Sequence, residues 1–88
     1  MFKENSAWWV YIVECADGSF YTGSTPDITS RVKKHNDGMG AKYTRNHLPV
    51  KLVYFEPYPD RSAAAKREIE LKKLKHRQKK ELAVGFEQ

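Results

Sequence analysis

Two tyrosines occupy short strand-like runs near the beginning of the chain, Tyr11 in the triplet VYI and Tyr21 in the triplet YTG. A phenol hydroxyl both donates and accepts hydrogen bonds, so two such side chains on one face of a sheet are suited to proton transfer. A single strand tyrosine is more often a core residue, and that alternative holds for each one taken alone. The choice depends on whether the two rings share a face.

The turn between the two runs decides this question. A two-residue loop would place Tyr11 and Tyr21 on opposite faces, whereas a three-residue loop over residues 16–18 places both on one face together with Gly23. Gly18 at the end of the turn suits a type I turn followed by a left-handed residue. The sequence therefore predicts the three-residue loop, with Gly23 opposite Tyr11 and open space beside the Tyr11 ring.

Arg31 and His35 are four residues apart in a run that predicts a helix, so they lie on one side of it. A guanidinium can bind a phosphate through two parallel hydrogen bonds, and an imidazole exchanges protons near neutral pH. The pair is a candidate phosphate clamp with a proton-transfer group. The alternative, a solvent-facing arginine beside a histidine without a role, fits the same spacing.

Glu68 is an acidic residue within an apolar arc. At about 100° per residue along a helix, it falls beside Ala64 and Leu71, whereas Glu70 points toward solvent. A carboxylate among core residues needs a cation. Two partners remain open, Arg31 in a buried ion pair or a hard divalent cation such as Mg²⁺.

Three strands are predicted to position these side chains. Residues 8–15 are apolar on both faces, which is typical of a central strand, and they form a hairpin with residues 20–23. Residues 50–56 form the third strand, which ends at Pro57.

Helices are predicted between and after the strands. The first spans residues 28–36, with Asp27 or Thr25 as its cap and Ile28 and Val32 facing the core. A mobile basic loop follows over residues 41–49. Ser62 caps a helix over residues 63 to about 75, and a short final helix covers about residues 77–83. The fold class is α/β, a three-stranded mostly antiparallel sheet flanked by helices, in the order β-β-α-β-α with a further α at the end.

Length and composition predict one domain over residues 1–88, with a core at about 8–83. The single cysteine, Cys15, forms no intrachain disulfide and is expected as a small buried hydrophobe. His35, His47 and His76 lack the spacing of a zinc site. With no membrane-length apolar run and no signal-peptide pattern, we expect a cytoplasmic protein without a membrane partner.

The net charge of +5 is concentrated in a Lys- and Arg-rich run from Lys66 to Lys80, with a smaller basic group upstream. Basic clusters suit a polyanion, because phosphates neutralised by lysine and arginine release their counterions. A solvated helix face is the simpler alternative. Charge alone therefore indicates nucleic acid only as a candidate partner.

Taken together, these features resemble the GIY-YIG nuclease superfamily. The triplets VYI and YTG stand where the family has its two signature triplets, and Arg31 and Glu68 follow in the family's order. The resemblance extends from about Trp8 to Leu82 and is closest to small stand-alone single-domain members, which end in a basic helix like REIELKKLKHRQKKEL. It implies metal-dependent hydrolysis of phosphodiester bonds.

The resemblance also implies a role for each site residue. Glu68 would hold Mg²⁺ or Mn²⁺, Arg31 would neutralise charge on the phosphate, and His35 would assist proton transfer. Tyr11 would take the proton of the attacking water, with Tyr21 positioning it or sharing that role. A phenol acts as a base only if nearby cations lower its pKa, which Arg31 and the metal would do.

Nucleic acid, DNA rather than RNA, is the implied partner, selected by its structure rather than its sequence. The candidate contact residues are basic or aromatic: Lys34, Lys42, Tyr43, Arg45 and Lys72. One departure is that no asparagine follows Asn46, whereas many family nucleases have one after the metal-binding glutamate. Two alternatives to an active nuclease follow, a non-catalytic nucleic-acid-binding module and a nuclease subunit that needs a protein partner supplying DNA-binding domains.

Overall fold

The most apolar run of the chain becomes the middle strand of the sheet. In the computed structural model, which describes residues 7–86, β1 (Trp8–Glu14) pairs with β2 (Phe20–Thr25) on one side and β3 (Lys51–Tyr58) on the other. Both pairings are antiparallel, and the strand order is β2-β1-β3. The prediction of a central first strand is confirmed, because a strand that is covered on both faces needs apolar side chains on both.

Four helices accompany the sheet: α1 (Ile28–Asn36), α2 (Lys42–Arg45), α3 (Arg61–Lys72) and α4 (His76–Phe86). Alternate residues of β1 enter two separate apolar clusters. Val10 and Ile12 pack with residues of α3 and α4, and Tyr11 and Val13 pack on the opposite face, which α1 covers. The predicted α/β class, with a three-stranded sheet between helices, is therefore confirmed.

Side-chain caps set where two helices begin. The Asp27 carboxylate accepts a hydrogen bond from the backbone N–H of Ser30 at 3.1 Å, which confirms the predicted cap of α1. The prediction of Ser62 for α3 is wrong. Asp60 is the cap, because its Oδ1 accepts from the N–H of Ala63 at 2.8 Å, and the helix begins at the residue after Asp60.

The basic C-terminal region divides into two helices earlier than predicted. α3 ends at Lys72 rather than near Lys75, and α4 continues to Phe86 rather than ending at residue 83. Gln78 explains the division. Its side-chain oxygen accepts from the backbone N–H of Lys75 at 2.8 Å, the reach-back half of a capping box that begins a new helix.

Two other boundaries differ from the sequence prediction. The segment over residues 41–49 was predicted to be a mobile loop, but it contains the helical turn α2, in which Thr44 is fully buried. β3 continues through Pro57 to Tyr58. A proline is tolerated there because β3 lies at the edge of the sheet and has a neighbouring strand on one side only. Its missing N–H therefore costs no hydrogen bond to a second strand.

Leu71 anchors α3, the helix that carries Glu68, and is fully buried against the sheet. Leu71→Ala is expected to lower the free energy of unfolding by roughly 2–5 kcal/mol, because it removes apolar contacts and leaves a cavity. Urea denaturation measures this loss. Ile69→Ala is the matched control, because Ile69 lies on the same helix with 58% of its surface exposed. Equal losses in the two variants would contradict this packing.

Candidate active site

The hairpin places the two tyrosines on one face of the sheet. Tyr11 pairs with Gly23, and Tyr21 pairs with Val13, which lies two residues from Tyr11. Gly18 has a φ of +86°, as the three-residue loop requires, so the predicted register is confirmed. The predicted open space beside the Tyr11 ring is wrong. A Cβ on Gly23 would lie 2.6 Å from the Tyr11 hydroxyl oxygen, so the ring itself fills that space.

A chain of hydrogen bonds begins at the Tyr11 hydroxyl. Tyr11 Oη lies 2.9 Å from Nε2 of His35, and Nδ1 of His35 lies 2.8 Å from Oγ1 of Thr44. His35 and Thr44 are fully buried, and Tyr11 is 1% exposed. Gly40 packs directly on His35, since a Cβ there would lie 2.3 Å from Nδ1. The imidazole is therefore held on both of its nitrogens within a close-fitting space.

Aromatic rings surround this chain on the β2 side. The ring of Tyr21 meets that of His35 edge-on, with centroids 5.4 Å apart. Tyr43 of α2 stacks on Tyr21 at 6.4 Å, and His47 stacks on Tyr43 at 4.5 Å. Tyr21 thus packs against His35 and connects it to the partly exposed Tyr43.

The Tyr11 hydroxyl is more difficult to ionise than expected from the sequence. Burial raises the pKa of Tyr11 to about 12, although the Arg31 guanidinium beside it acts in the opposite direction. The charge of Glu68 also raises this pKa. In the protein without metal, burial therefore outweighs the effect of Arg31, and the prediction that Arg31 and a metal ion together lower the pKa of Tyr11 stays a prediction.

Arg31 borders an open cavity of about 320 Å³ where β2 meets α1. The lining residues come from the beginning of β1, the end of β2 and the first turns of α1: Trp8, Ser24, Thr25, Pro26, Asp27, Ser30, Arg31 and Lys34. Within residues 7–86, the Arg31 guanidinium has no ion pair with a carboxylate. The guanidinium lies beside the Tyr11 hydroxyl and at the border of the cavity, where it can meet an anion that enters.

Glu68 reaches the same corner from the other face of the sheet. Its carboxylate accepts a hydrogen bond from Ser24 Oγ at 2.8 Å, and its second oxygen lies 2.8 Å from Lys72 Nζ. The side chain is 20% exposed, so it lies at the border of the buried arc. The predicted alternative of an ion pair with Arg31 is wrong, because the cationic partner is Lys72.

A single carboxylate beside the Ser24 hydroxyl fits a divalent cation that is shared with a substrate. Mg²⁺ commonly binds one or two carboxylates and completes its octahedron with water and phosphate oxygens. Among residues 7–86, no three His, Cys, Asp or Glu side chains form a metal-binding group. Glu68 would therefore hold the ion together with a phosphate, in place of the Lys72 ammonium.

The remaining predicted contact residues lie on α1, α2 and α3. Lys34 lines the cavity, and Lys42 and Arg45 are exposed on α2 on either side of the Tyr43–Thr44 pair. The Lys72 ammonium pairs with the Glu68 carboxylate at 2.8 Å, and its contact with nucleic acid stays a prediction.

The buried His35 gives folding a defined pH dependence. Burial and the nearby Arg31 charge lower its pKa below the ordinary value of 6.5. The unfolded chain then binds more protons at this residue, so the free energy of unfolding falls as the pH falls below about 6.5. Urea denaturation at about pH 7.5 and pH 5.5 tests this for the wild type and His35→Gln. The variant is expected to lose less stability, and equal losses would contradict the burial of a neutral imidazole.

Three residues of the site were not identified from the sequence. Ser24 lies two residues after Thr22 in β2, and alternate residues of a strand point to the same face. This alternation was a sequence signal that could have placed Ser24 on the side of α3. Thr44 and Gly40 had none, because their contacts with His35 depend on how residues 37–45 fold over α1.

Comparisons with known proteins identify the family. The GIY-YIG catalytic domain matches residues 7–81. A UPF0213 protein of Haloquadratum walsbyi is 53% identical over 90% of this chain and 89% of its own length, and one of Staphylococcus epidermidis is 56% identical over 80% and 85%.

Two solution NMR structures are similar as well. The UPF0213 protein of Bacillus halodurans has a TM-score of 0.55 at 47% identity and matches 88% of this chain and 82% of its own. A protein of E. faecalis has a TM-score of 0.60 at 39% identity over 99% and 92%. No helix within residues 7–86 is long and apolar enough to cross a membrane. The chain therefore belongs to the GIY-YIG catalytic domain family, and its relatives are UPF0213 proteins.

Proposed function

We propose that the protein is a divalent-metal-dependent endonuclease that hydrolyses phosphodiester bonds in DNA and selects its substrate by structure. One observation carries the proposal. The Tyr11 hydroxyl is hydrogen-bonded to a buried imidazole and lies in the fields of Arg31, a cation without a carboxylate partner among the described residues, and of the Glu68 carboxylate. A proton acceptor, an anion-binding cation and a carboxylate ligand are the groups that phosphodiester hydrolysis needs.

Proton transfer starts at the attacking water. Tyr11 Oη accepts a proton from the water while its own proton passes to His35 Nε2, 2.9 Å away. Tyr11 is unchanged by this exchange, and His35 becomes an imidazolium. The raised pKa of Tyr11 is then no obstacle, because the phenol relays a proton and does not have to be a free phenolate.

The hydroxide formed in this way attacks the phosphorus, and the bond from phosphorus to the leaving sugar oxygen breaks with its electron pair on that oxygen. Solvent water protonates the leaving oxygen, and the hydroxide that this leaves takes up the proton that His35 releases through Tyr11, so that both side chains return to their starting forms. Arg31 stabilises the charge that builds on the phosphate oxygens, since it borders the cavity and has no carboxylate partner within residues 7–86. Ser24 holds the Glu68 carboxylate toward the cavity by its 2.8 Å hydrogen bond.

Glu68 is the residue that would hold Mg²⁺ or Mn²⁺. The chemistry that the ion supplies there is neutralisation of charge on a phosphate oxygen and on the leaving group. Lys72 Nζ lies 2.8 Å from the Glu68 carboxylate, and this pairing raises the pKa of Lys72. With an ion on Glu68, the Lys72 ammonium would be free to contact the nucleic-acid backbone.

Selection by structure is supported by the kind of surface around the site. Lys34, Lys42 and Arg45 are exposed cations, and cations of this kind contact phosphates without reading bases. The stacked Tyr43 and His47 rings add a surface on which an unpaired base can stack.

The experiment compares cleavage of end-labelled branched, single-stranded and duplex DNA, and of matching RNA, with Mg²⁺ and then with EDTA. We expect branched DNA to be cut in the presence of Mg²⁺ and not in the presence of EDTA. Salt-sensitive binding without cutting under any condition would favour the non-catalytic binding module. Cutting only after addition of a cell extract would favour a nuclease subunit that needs a protein partner.

A further inference from the structure

Thr44 is the last member of the hydrogen-bonded chain that begins at Tyr11, and it lies on α2, away from the cavity. Its hydroxyl is fully buried and makes two contacts, with the backbone oxygen of Ala41 at 2.9 Å and with Nδ1 of His35 at 2.8 Å. A threonine hydroxyl carries one proton, whereas a carbonyl oxygen can only accept. The proton therefore belongs to the Thr44–Ala41 contact, and Thr44 Oγ1 must accept from Nδ1–H of His35.

This assignment fixes the other side of the ring. A neutral imidazole carries one N–H, so a proton on Nδ1 leaves a lone pair on Nε2, and Tyr11 then donates its O–H to that lone pair. In the opposite tautomer, Thr44 would have to donate its only hydroxyl proton to Nδ1 of His35. Thr44 Oγ1 and the backbone oxygen of Ala41 would then lie 2.9 Å apart without a proton between them. Only the first arrangement satisfies all three contacts.

We propose that Thr44 is a positioning residue, which keeps His35 in the Nδ1–H tautomer so that Nε2 is ready to receive the proton of Tyr11. Buried polar groups need partners, and Gly40 packs so closely on His35 that the ring has no room to turn away. The tautomer follows from the geometry alone, whereas its catalytic consequence depends on the proposed nuclease function.

The tautomer is measured directly by ¹⁵N NMR of histidine-labelled protein at about pH 8, where an unperturbed imidazole is neutral. A ring nitrogen that carries a proton and one that carries a lone pair have different ¹⁵N shifts, and a His35→Gln spectrum assigns the signals of His35 against those of His47 and His76. We expect the Nδ1–H form in the wild type. A wild-type ring in the Nε2–H form would overturn the proposal without the need for any variant.

Two variants separate the hydroxyl from the shape of the side chain. Thr44→Val keeps the volume but removes the acceptor, and Thr44→Ser keeps the hydroxyl. We expect Val to shift the His35 signals toward the other tautomer or a mixture, and Ser to retain those of the wild type. Unchanged His35 signals in a folded Val variant, checked by circular dichroism, would overturn the proposal. If the Val variant does not fold, the Ser variant and the wild-type tautomer still decide the outcome.

The catalytic consequence is tested by single-turnover cleavage of the DNA that the wild type cuts. Thr44→Val is expected to lower the rate by roughly 10- to 100-fold, less than the 10²–10⁴-fold that proton transfer as a whole contributes, and Ser to restore it. If the protein cuts no substrate yet His35 follows the expected tautomers, the nuclease proposal fails while the tautomer assignment stands. If the Val variant cuts at the wild-type rate, the positioning role is wrong.

Discussion

Glu68→Gln is expected to lower the rate of phosphodiester cleavage by roughly 10²–10³-fold or more, while the protein remains folded. The amide keeps an oxygen that accepts the Ser24 hydrogen bond, but it loses the negative charge that would hold a divalent cation. The stability change should stay within about 1 kcal/mol, because the Lys72 ammonium that loses its partner is half exposed and can be solvated. Single-turnover cleavage and urea denaturation measure the two effects.

Glu70→Gln is the matched control for this variant. Glu70 lies two residues further along α3, is 66% exposed, and pairs with Arg67 at 2.9 Å on the outer side of the helix. The same chemical change at Glu70 should leave cleavage near the wild-type rate. Equal rates for the two variants, whether high or low, would show that Glu68 has no special role in the reaction.

Arg31→Ala is the second variant for which a large loss is expected, about 10²–10³-fold in cleavage rate. Its guanidinium is the cation that borders the cavity without a carboxylate partner in the described part of the chain, so its removal breaks no ion pair there and leaves the developing phosphate charge uncompensated. The pKa of His35 should rise at the same time, because the Arg31 charge helps to lower it. NMR titration of the His35 ring measures this second effect independently of cleavage.

Lys34→Ala provides the comparison for Arg31→Ala. Lys34 lies three residues along the same helix, lines the same cavity and is exposed. If Lys34 contacts only the nucleic-acid backbone, its loss should weaken DNA binding and reduce the salt dependence of that binding. The cleavage rate at saturating DNA should stay within about 10-fold of the wild-type rate. Arg31→Lys should be intermediate, since lysine keeps the charge but lacks the planar fork. An Arg31→Ala variant that behaves like Lys34→Ala would remove Arg31 from the chemistry.

Sequence patterns predicted those parts of the structure that depend on local periodicity. The apolar residues of β1 on both faces predicted its central position, and Gly18 predicted the hairpin register that puts Tyr11 and Tyr21 on one face. Helical phase identified Glu68 as a partly buried carboxylate. The strand and helix predictions follow from repeats of two and 3.6 residues, and the register follows from the turn residue, so a single segment carries each signal by itself.

The contacts that complete the site are non-local, and the sequence did not predict them. Thr44 reaches His35 because residues 37–45 fold over α1, and Lys72 rather than Arg31 pairs with Glu68 because Glu68 and Arg31 approach from opposite faces of the sheet. The raised pKa of Tyr11 in the metal-free protein was not predicted for a related reason. Its value depends on how completely the ring is enclosed, and Gly23 and His35 together determine this enclosure.

Glu68, Arg31 and the Tyr11–His35 pair are proposed to form one metal-dependent hydrolytic site. Titration of Mg²⁺ into single-turnover cleavage reactions of the wild type and Glu68→Gln tests this proposal. The wild-type rate should rise to a plateau with Mg²⁺ and fall to background in excess EDTA, while the variant stays near background at every Mg²⁺ concentration. A wild-type rate that survives EDTA, or a variant with the same Mg²⁺ curve as the wild type, would contradict the claim.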